Sequence, residues 1–295
     1  MRKFALSLRS MFVMAAIGIA TSAVSTAQYK FVPLSVPGAS YTFPQGIGNE
    51  NLIVGYYWTS AGASYGFSYN PATGAFVYPI KGRGTTWAAA YAVNSAGTIV
   101  GDYQEGSAGQ YTYGLVDAGG VLSEYNEPGC SNTVITGIND YSSGTMTGYC
   151  TMSNGNVEGW IGSPWNTVFT CPNETSTMPA AINNWGIVGG SISRGTGENP
   201  SLVGFISTAY GYCSTFAYPG AAYTTVGGLN DNGAISGSYS GGDTWSGFVY
   251  NDTYTTVNPP NAVSTFLSQI NNNNWLVGYY VDAQGQIHAF YAEPI

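Results

Sequence analysis

The stretch INNNNWLVGYYVDAQGQIHAF, residues 270–290, holds the pattern that decides the fold. It opens on Ile-Asn, turns, runs through a short apolar segment to Gly278, and reaches the triplet His288-Ala289-Phe290. The first half recurs as GIGNENLIVG (46–55), AVNSAGTIVG (92–101), GINDYSSGTMTG (137–148), AINNWGIVGG (181–190) and GLNDNGAISG (228–237). The closing glycines Gly55, Gly101, Gly148, Gly190, Gly237 and Gly278 are spaced 46, 47, 42, 47 and 41 residues apart. The triplet recurs as YGF (65–67), YGL (113–115), EGW (158–160), VGF (203–205) and SGF (246–248). A third motif leads into Pro-Gly, as in VLSEYNEPG (121–129) and YCSTFAYPG (212–220).

Each repeat offers four strand-sized pieces. Strand A runs into the Ile-Asn, B is the Ile-Val-Gly segment, C carries the triplet, and D approaches the proline. The A–B turn places Asn51, Gly97, Gly144, Gly186, Gly233 or Asn274 at its penultimate position. Gly and Asn tolerate the positive φ of a tight hairpin. The third repeat has two extra residues here, so its turn must differ. Four strands in about 45 residues, repeated, are the mark of a β-propeller blade. The expectation is an all-β, six-bladed β-propeller with four-stranded blades. The sixth repeat stops after strand C, while the mature chain begins with an unpartnered strand D, YKFVPLSVPG (29–38). An N-terminal strand that completes the last blade closes the ring and removes an open edge.

The composite of Ile-Asn-x-x-Gly, Ile-Val-Gly, an HAF-like triplet and Pro-Gly-Ala resembles the HAF family of extracellular repeats. That resemblance spans nearly the whole mature chain. It implies export and repeat-built β structure, and it brings no catalytic residues.

Residues 1–27 read as a signal peptide: Arg2, Lys3 and Arg9, an apolar centre over Met11–Ala20, and Ser25-Thr26-Ala27 before Gln28. The apolar run is short for an uncleaved membrane anchor. Residues 28–295 then form a single six-repeat propeller domain, exported to the extracellular space, the cell surface or the periplasm. Removing the leader leaves Lys30, Lys81, Arg83 and Arg194 against fifteen acids, a net charge of −11. Such a chain lacks the clustered cations that nucleic acid or anionic lipid requires. No nucleic acid, membrane insertion or cofactor is expected, and the domain is expected to be a monomer.

Cys130, Cys150, Cys171 and Cys213 contain no CxxC pair, and one histidine cannot complete an ordinary zinc site. In an exported protein they are disulfide candidates. Three of the four fall in the third repeat, which favours a local staple there. His288, the sole histidine, aligns with Tyr65, Tyr113, Glu158, Val203 and Ser246, so it reads as a variable strand position rather than a reagent. A glycoside hydrolase needs two convergent carboxylates. Asp102 and Glu105, or Glu124 and Glu127, could supply them, but no motif pairs them. Asn139-Asp140 and Asn230-Asp231 echo calcium loops. The aligned Asn49, Ser95, Asn184 and Asn272 favour turn capping instead.

Aromatic residues carry the functional expectation. Seven residues before positions 48, 94, 139, 183, 230 and 271 lies the entrance of strand A, which lines the channel of a propeller. Those entrances are Tyr41, Trp87, Asn132, Ser176, Tyr223 and Ser264. Trp58 and Trp245 lie in B–C connections that open on the same face. Tyr41, Trp58, Trp87, Tyr223 and Trp245 are therefore the candidate ligand-binding residues, suited to stacking on a sugar or an extended peptide. Trp160, in the triplet, is expected in the core. The leading expectation is a non-enzymatic binding module for a polysaccharide or an extracellular protein. A carbohydrate-active hydrolase and a self-associating surface protein are the alternatives.

Overall fold

A computed structural model describes residues 29–295 except 83, 106–110, 142–143, 164, 173, 175, 195–200 and 209–210. The leader read from residues 1–27, and Arg83, lie outside the described residues. The chain is an all-β propeller. The first repeat contributes Tyr41–Ile47, Ile53–Trp58, Ser64–Asn70 and Ala75–Ile80 as strands A to D. The second contributes Ala88–Val93, Thr98–Glu105, Tyr111–Ala118 and Val121–Tyr125. The third contributes Cys130–Ile138, Met146–Met152, Val157–Ile161 and Thr167–Phe169. The fourth contributes Ser176–Ile182, Val188–Arg194, Ser201–Ser207 and Cys213–Phe216. The fifth contributes Tyr223–Leu229, Ile235–Ser240, Trp245–Asn251 and Thr253–Val257. The sixth contributes Ser264–Ile270, Leu276–Val281 and Ile287–Pro294, and its fourth strand is the N-terminal Tyr29–Pro33, antiparallel to Ile287–Pro294.

The pairing does not give six separate sheets. Four four-stranded sheets stand alone, and the third and fourth repeats share one eight-stranded sheet. A single parallel bridge, Val157 to Ser176, joins them. The same position carries the isolated bridge Ser64 to Trp87 between the first two repeats. At two further junctions a side chain fills the gap: Thr112 N–H donates to Asn132 Oδ1 at 2.9 Å and Trp245 N–H to Ser264 Oγ at 3.2 Å. The fusion is thus a contact between neighbouring repeats that, at one junction, lies inside the strands.

All six penultimate turn residues adopt positive φ, from 60° at Asn274 to 95° at Gly144. In the third repeat Asn139 Oδ1 accepts from Thr145 N–H, six residues on. The equivalent bonds in the second, fourth, fifth and sixth repeats span four, so the longer turn is absorbed between the same anchors.

The closing glycine and the triplet form one device. Gly55, Gly101, Gly148, Gly190, Gly237 and Gly278 are the cross-strand partners of Phe67, Leu115, Trp160, Phe205, Phe248 and Phe290. Those six side chains are fully buried. A Cβ on any of these glycines would collide with the carbonyl oxygen of the facing strand A. The core lies between repeats: Ile47, Ile53 and Phe67 of the first pack with Val277, Ala289 and Tyr291 of the sixth.

Two disulfides form. Cys130–Cys150 is the local staple of the third repeat, and Cys171–Cys213 ties the third repeat to the fourth.

Candidate ligand-binding face

The A–B turns close one end of the channel. Asn94, Asn139, Asn183, Asn230 and Asn271 are buried, and each uses both halves of its amide. The oxygen accepts backbone N–H groups of its own turn, as Asn271 Oδ1 does from Asn273 and Trp275. The nitrogen donates to the backbone oxygen one repeat on: Asn94 to Asn139, Asn139 to Asn183, Asn183 to Asn230, Asn230 to Asn271, and Asn271 to Gly48. A second tier joins Ser95, Asp140, Asn184, Asp231, Asn272 and Asn49, each backbone N–H donating to the next side-chain oxygen. Turn capping accounts for only half of this chemistry; the rest links neighbouring repeats. The carboxylates of Asp140 and Asp231 accept amide hydrogens from Asn49, Asn184 and Asn272. The space left at this end is about 50 Å³.

The channel widens away from that ring. Its wall includes Gln45, Tyr91, Thr136, Ala180, Gly227 and Ser268, around a volume of about 460 Å³. These six residues sit at the register shift in strand A of every repeat. A bulge re-aims a side chain, and here it turns one residue per repeat toward the axis. Tyr56, Tyr149 and Tyr279, each directly after a closing glycine, also line the wall.

At the wide end the aromatic side chains form one arc. Tyr223 lies 6.2 Å from Trp245, which lies 5.7 Å from Phe266. Phe266 stacks on Tyr279 at 4.9 Å, and Tyr279 meets Phe43 edge-on at 5.3 Å. Phe43 stacks on Tyr56 at 5.0 Å, Tyr56 reaches Trp87 at 6.2 Å, and Trp87 meets Trp58 at 5.9 Å. Tyr41 joins at Phe43, 6.4 Å away. The structure therefore brings together all five residues singled out from the sequence. Tyr41 is 47% exposed and Trp58 37%, while Trp87, Tyr223 and Trp245 are half-buried. Phe43, Tyr56, Phe266 and Tyr279 were missed. Period-two alternation from Tyr41 and Ser264 would have found Phe43 and Phe266. The position after the closing glycine would have found the two tyrosines.

Asp102 also follows a closing glycine, and it is buried at 4% exposure. Burial raises its carboxyl to about 7, against hydrogen bonds from Tyr91 and Trp87 that pull the other way. Its neighbours Tyr56 and Tyr149 are pushed up to about 12, chiefly by burial. No second carboxylate among the described residues contributes to the shift of Asp102. Glu124 accepts from the Tyr103 hydroxyl at 2.8 Å and Glu127 from Tyr125 at 2.7 Å. Glu124 and Glu127 are thus each bonded to a phenol.

His288 is more than a variable strand position. Its Nε2 lies 2.7 Å from Asp282 Oδ2, and its ring stacks on Tyr280 at 4.8 Å. Asp282 in turn accepts from Gln284 and Gln286 N–H, so the pair fixes the B–C turn. Trp160 is fully buried, as its triplet position requires.

No family model matches the chain, and no curated protein sequence matches it. Among solved structures the chain is similar to a mutant of the Aleuria aurantia lectin AAL in complex with Fucα1-6GlcNAc. The two share 10% identity over 86% of this chain and 93% of that one, with a TM-score of 0.52. The shared fold is a β-propeller. An AAL structure in complex with α-methyl-L-fucoside gives 11% identity, 90% and 91% coverage and a TM-score of 0.49. AofleA from Arthrobotrys oligospora gives 12%, 92% and 84%, and 0.44. At these identities the likeness concerns the fold.

Proposed function

We propose that the protein is a non-enzymatic glycan-binding module that takes a sugar chain on the aromatic arc at the wide end of the channel. The observation that carries this reading is the continuity of the arc from Tyr223 through Phe43 to Trp58, with partly exposed rings at Tyr41 and Trp58. Aromatic faces with few charges favour the apolar faces of sugar rings, while nearby hydroxyl and amide groups meet their hydroxyls. The Aleuria aurantia lectin binds its disaccharide on a propeller of the same fold, which makes the scaffold suitable. We read the propeller as six blades, two of them sharing a sheet, of HAF-type repeats, and the protein as exported. The two disulfides support that location.

The test is a glycan array followed by titration calorimetry with wild type, Trp58→Ala and Trp87→Ala. A bound glycan whose affinity falls at least about tenfold in both variants, at unchanged melting temperature, is the expected result. An array without any bound glycan, or variants that bind as wild type does, would remove this reading.

A further inference from the structure

Beside the arc, a cleft of about 310 Å³ opens between the second and third repeats. Its walls include Trp87, Tyr91, Asn132 and Tyr149, with Asp102 among them. The carboxyl of Asp102 has no basic partner among the described residues, whose ion pairs are Lys30–Glu293, Arg194–Glu174 and His288–Asp282. Its Oδ1 has no hydrogen-bond partner among the described residues. An uncompensated buried carboxyl is costly, and it invites either protonation or a cation from outside.

We propose that this cleft binds an organic ammonium group. The proposal goes beyond the glycan reading and stands whether or not a sugar occupies the arc. Three alternatives fit less well. A neutral hydroxyl could satisfy Oδ1 but would leave the charge. A hard cation such as calcium wants about six to eight oxygens. Here one carboxyl is at hand, and Asn132 Oδ1 is already taken by Thr112 N–H. A water molecule brings no charge. An ammonium group brings one positive charge to the carboxyl and lays its carbon substituents on the faces of Trp87, Tyr91 and Tyr149, where ring quadrupoles favour a cation. Oδ1 is shielded from solvent, so the ligand reaches it after a turn about Cβ–Cγ. The overall charge of −8 draws cations toward the protein.

The charge state of Asp102 makes the proposal testable by pH. The titratable groups that feel its charge are Tyr56, Tyr91 and Tyr149, all phenols pushed upward and neutral across this range. With a carboxyl near 7, the site is mostly neutral at about pH 5.5 and mostly charged at about pH 8.5.

Calorimetric titration of the full folded protein with choline, and with its uncharged isostere 3,3-dimethylbutanol, tests the idea. Choline should bind at least about tenfold more tightly than the isostere at about pH 8.5, and the preference should shrink at about pH 5.5. Asp102→Asn should lose the preference, and the wild-type pH comparison serves if that variant fails to fold. A parallel arm compares glucosamine oligomers with their N-acetylated forms. Oligomers that bind far more tightly than choline would place the ammonium on a saccharide, and the reverse would point to a free small cation. Absence of binding in both arms, or equal binding of charged and neutral partners, would overturn the proposal. Trp87 lines this cleft as well as the arc, so the two readings are separated by Trp58→Ala, which lies on the arc and outside the cleft, and by neutral sugars, which carry no ammonium group.

Discussion

The side-chain amide of Asn271 donates to the backbone oxygen of Gly48 at 2.9 Å, across 223 residues of chain. With the N-terminal strand, this bond joins the last repeat to the first. Asn271 also donates to Asn51 Oδ1 at 2.8 Å and accepts from two N–H groups of its own turn. Asn271→Ala leaves several buried groups unpaired at once. We expect a loss of about 2–4 kcal/mol, read as a lower urea midpoint with an unchanged slope. A loss below about 0.5 kcal/mol would show that the ring adds nothing to closure.

The amide ring has one missing link, because position 48 is Gly where the other repeats carry Asn. A Cβ at Gly48 would lie 3.3 Å from Val93 Cγ1 and Val93 O, and 3.8 Å from the Asn94 oxygen that has no donor from this side. Gly48→Asn can therefore supply the sixth bond if Val93 yields by a few tenths of an ångström. A gain of about 1 kcal/mol by chemical denaturation is expected. Destabilisation would mean that the Val93 contact outweighs the new bond.

A threonine hydroxyl secures the D–A loop in four repeats. Thr42, Thr133, Thr177 and Thr224 accept the N–H of the residue six positions earlier. In the sixth repeat that residue is Pro259, which has no N–H, and the buried Thr265 hydroxyl has no partner among the described residues. Thr265→Val should change stability by no more than about 0.5 kcal/mol, whereas Thr133→Val should cost about 1–2 kcal/mol by orphaning the Glu127 N–H. Equal costs at both sites would refute the assignment.

Two kinds of glycine should respond differently to Ala. Gly237 has no room for a Cβ, which would meet the Thr225 oxygen and the Phe248 ring. Its substitution should cost about 3 kcal/mol or more. Gly97 sits at φ 78° with open space around it, so only backbone strain of about 1 kcal/mol is expected there. Thermal melts of the two variants separate packing from turn strain.

Asp102 should make stability fall as pH rises. Its folded value, about 7, lies above the 3.8 of the free side chain, so the folded state holds the extra proton between them. The destabilisation starts near pH 4 and is complete above about pH 7. Asp102→Asn should therefore be more stable than wild type by a few kcal/mol at about pH 8, with the gap closing toward about pH 4. Parallel unfolding curves at the two pH values decide it; a gap that is constant with pH would contradict the burial argument.

The glycines of the A–B turns, the glycine facing each triplet aromatic and the strand lent by the N-terminus are local or periodic constraints. They recur in every copy, so comparison within one chain reveals them, and the propeller follows. The places of Tyr41, Trp87 and Tyr223 at the entrances of strand A were legible for the same reason, as a fixed offset from a repeated landmark, whereas Trp58 and Trp245 were placed only by the B–C connections. Contacts between repeats leave no such trace. Whether Asn183 reaches Asn230, whether Val157 pairs with Ser176, and whether Asp102 meets Tyr91 and Trp87 depend on the rotation of one repeat against the next and on the bulge in strand A. Those distances are set when the ring closes and every repeat must satisfy two neighbours at once. The repeat determined the strands and turns; the closed ring decided which side chains meet across them.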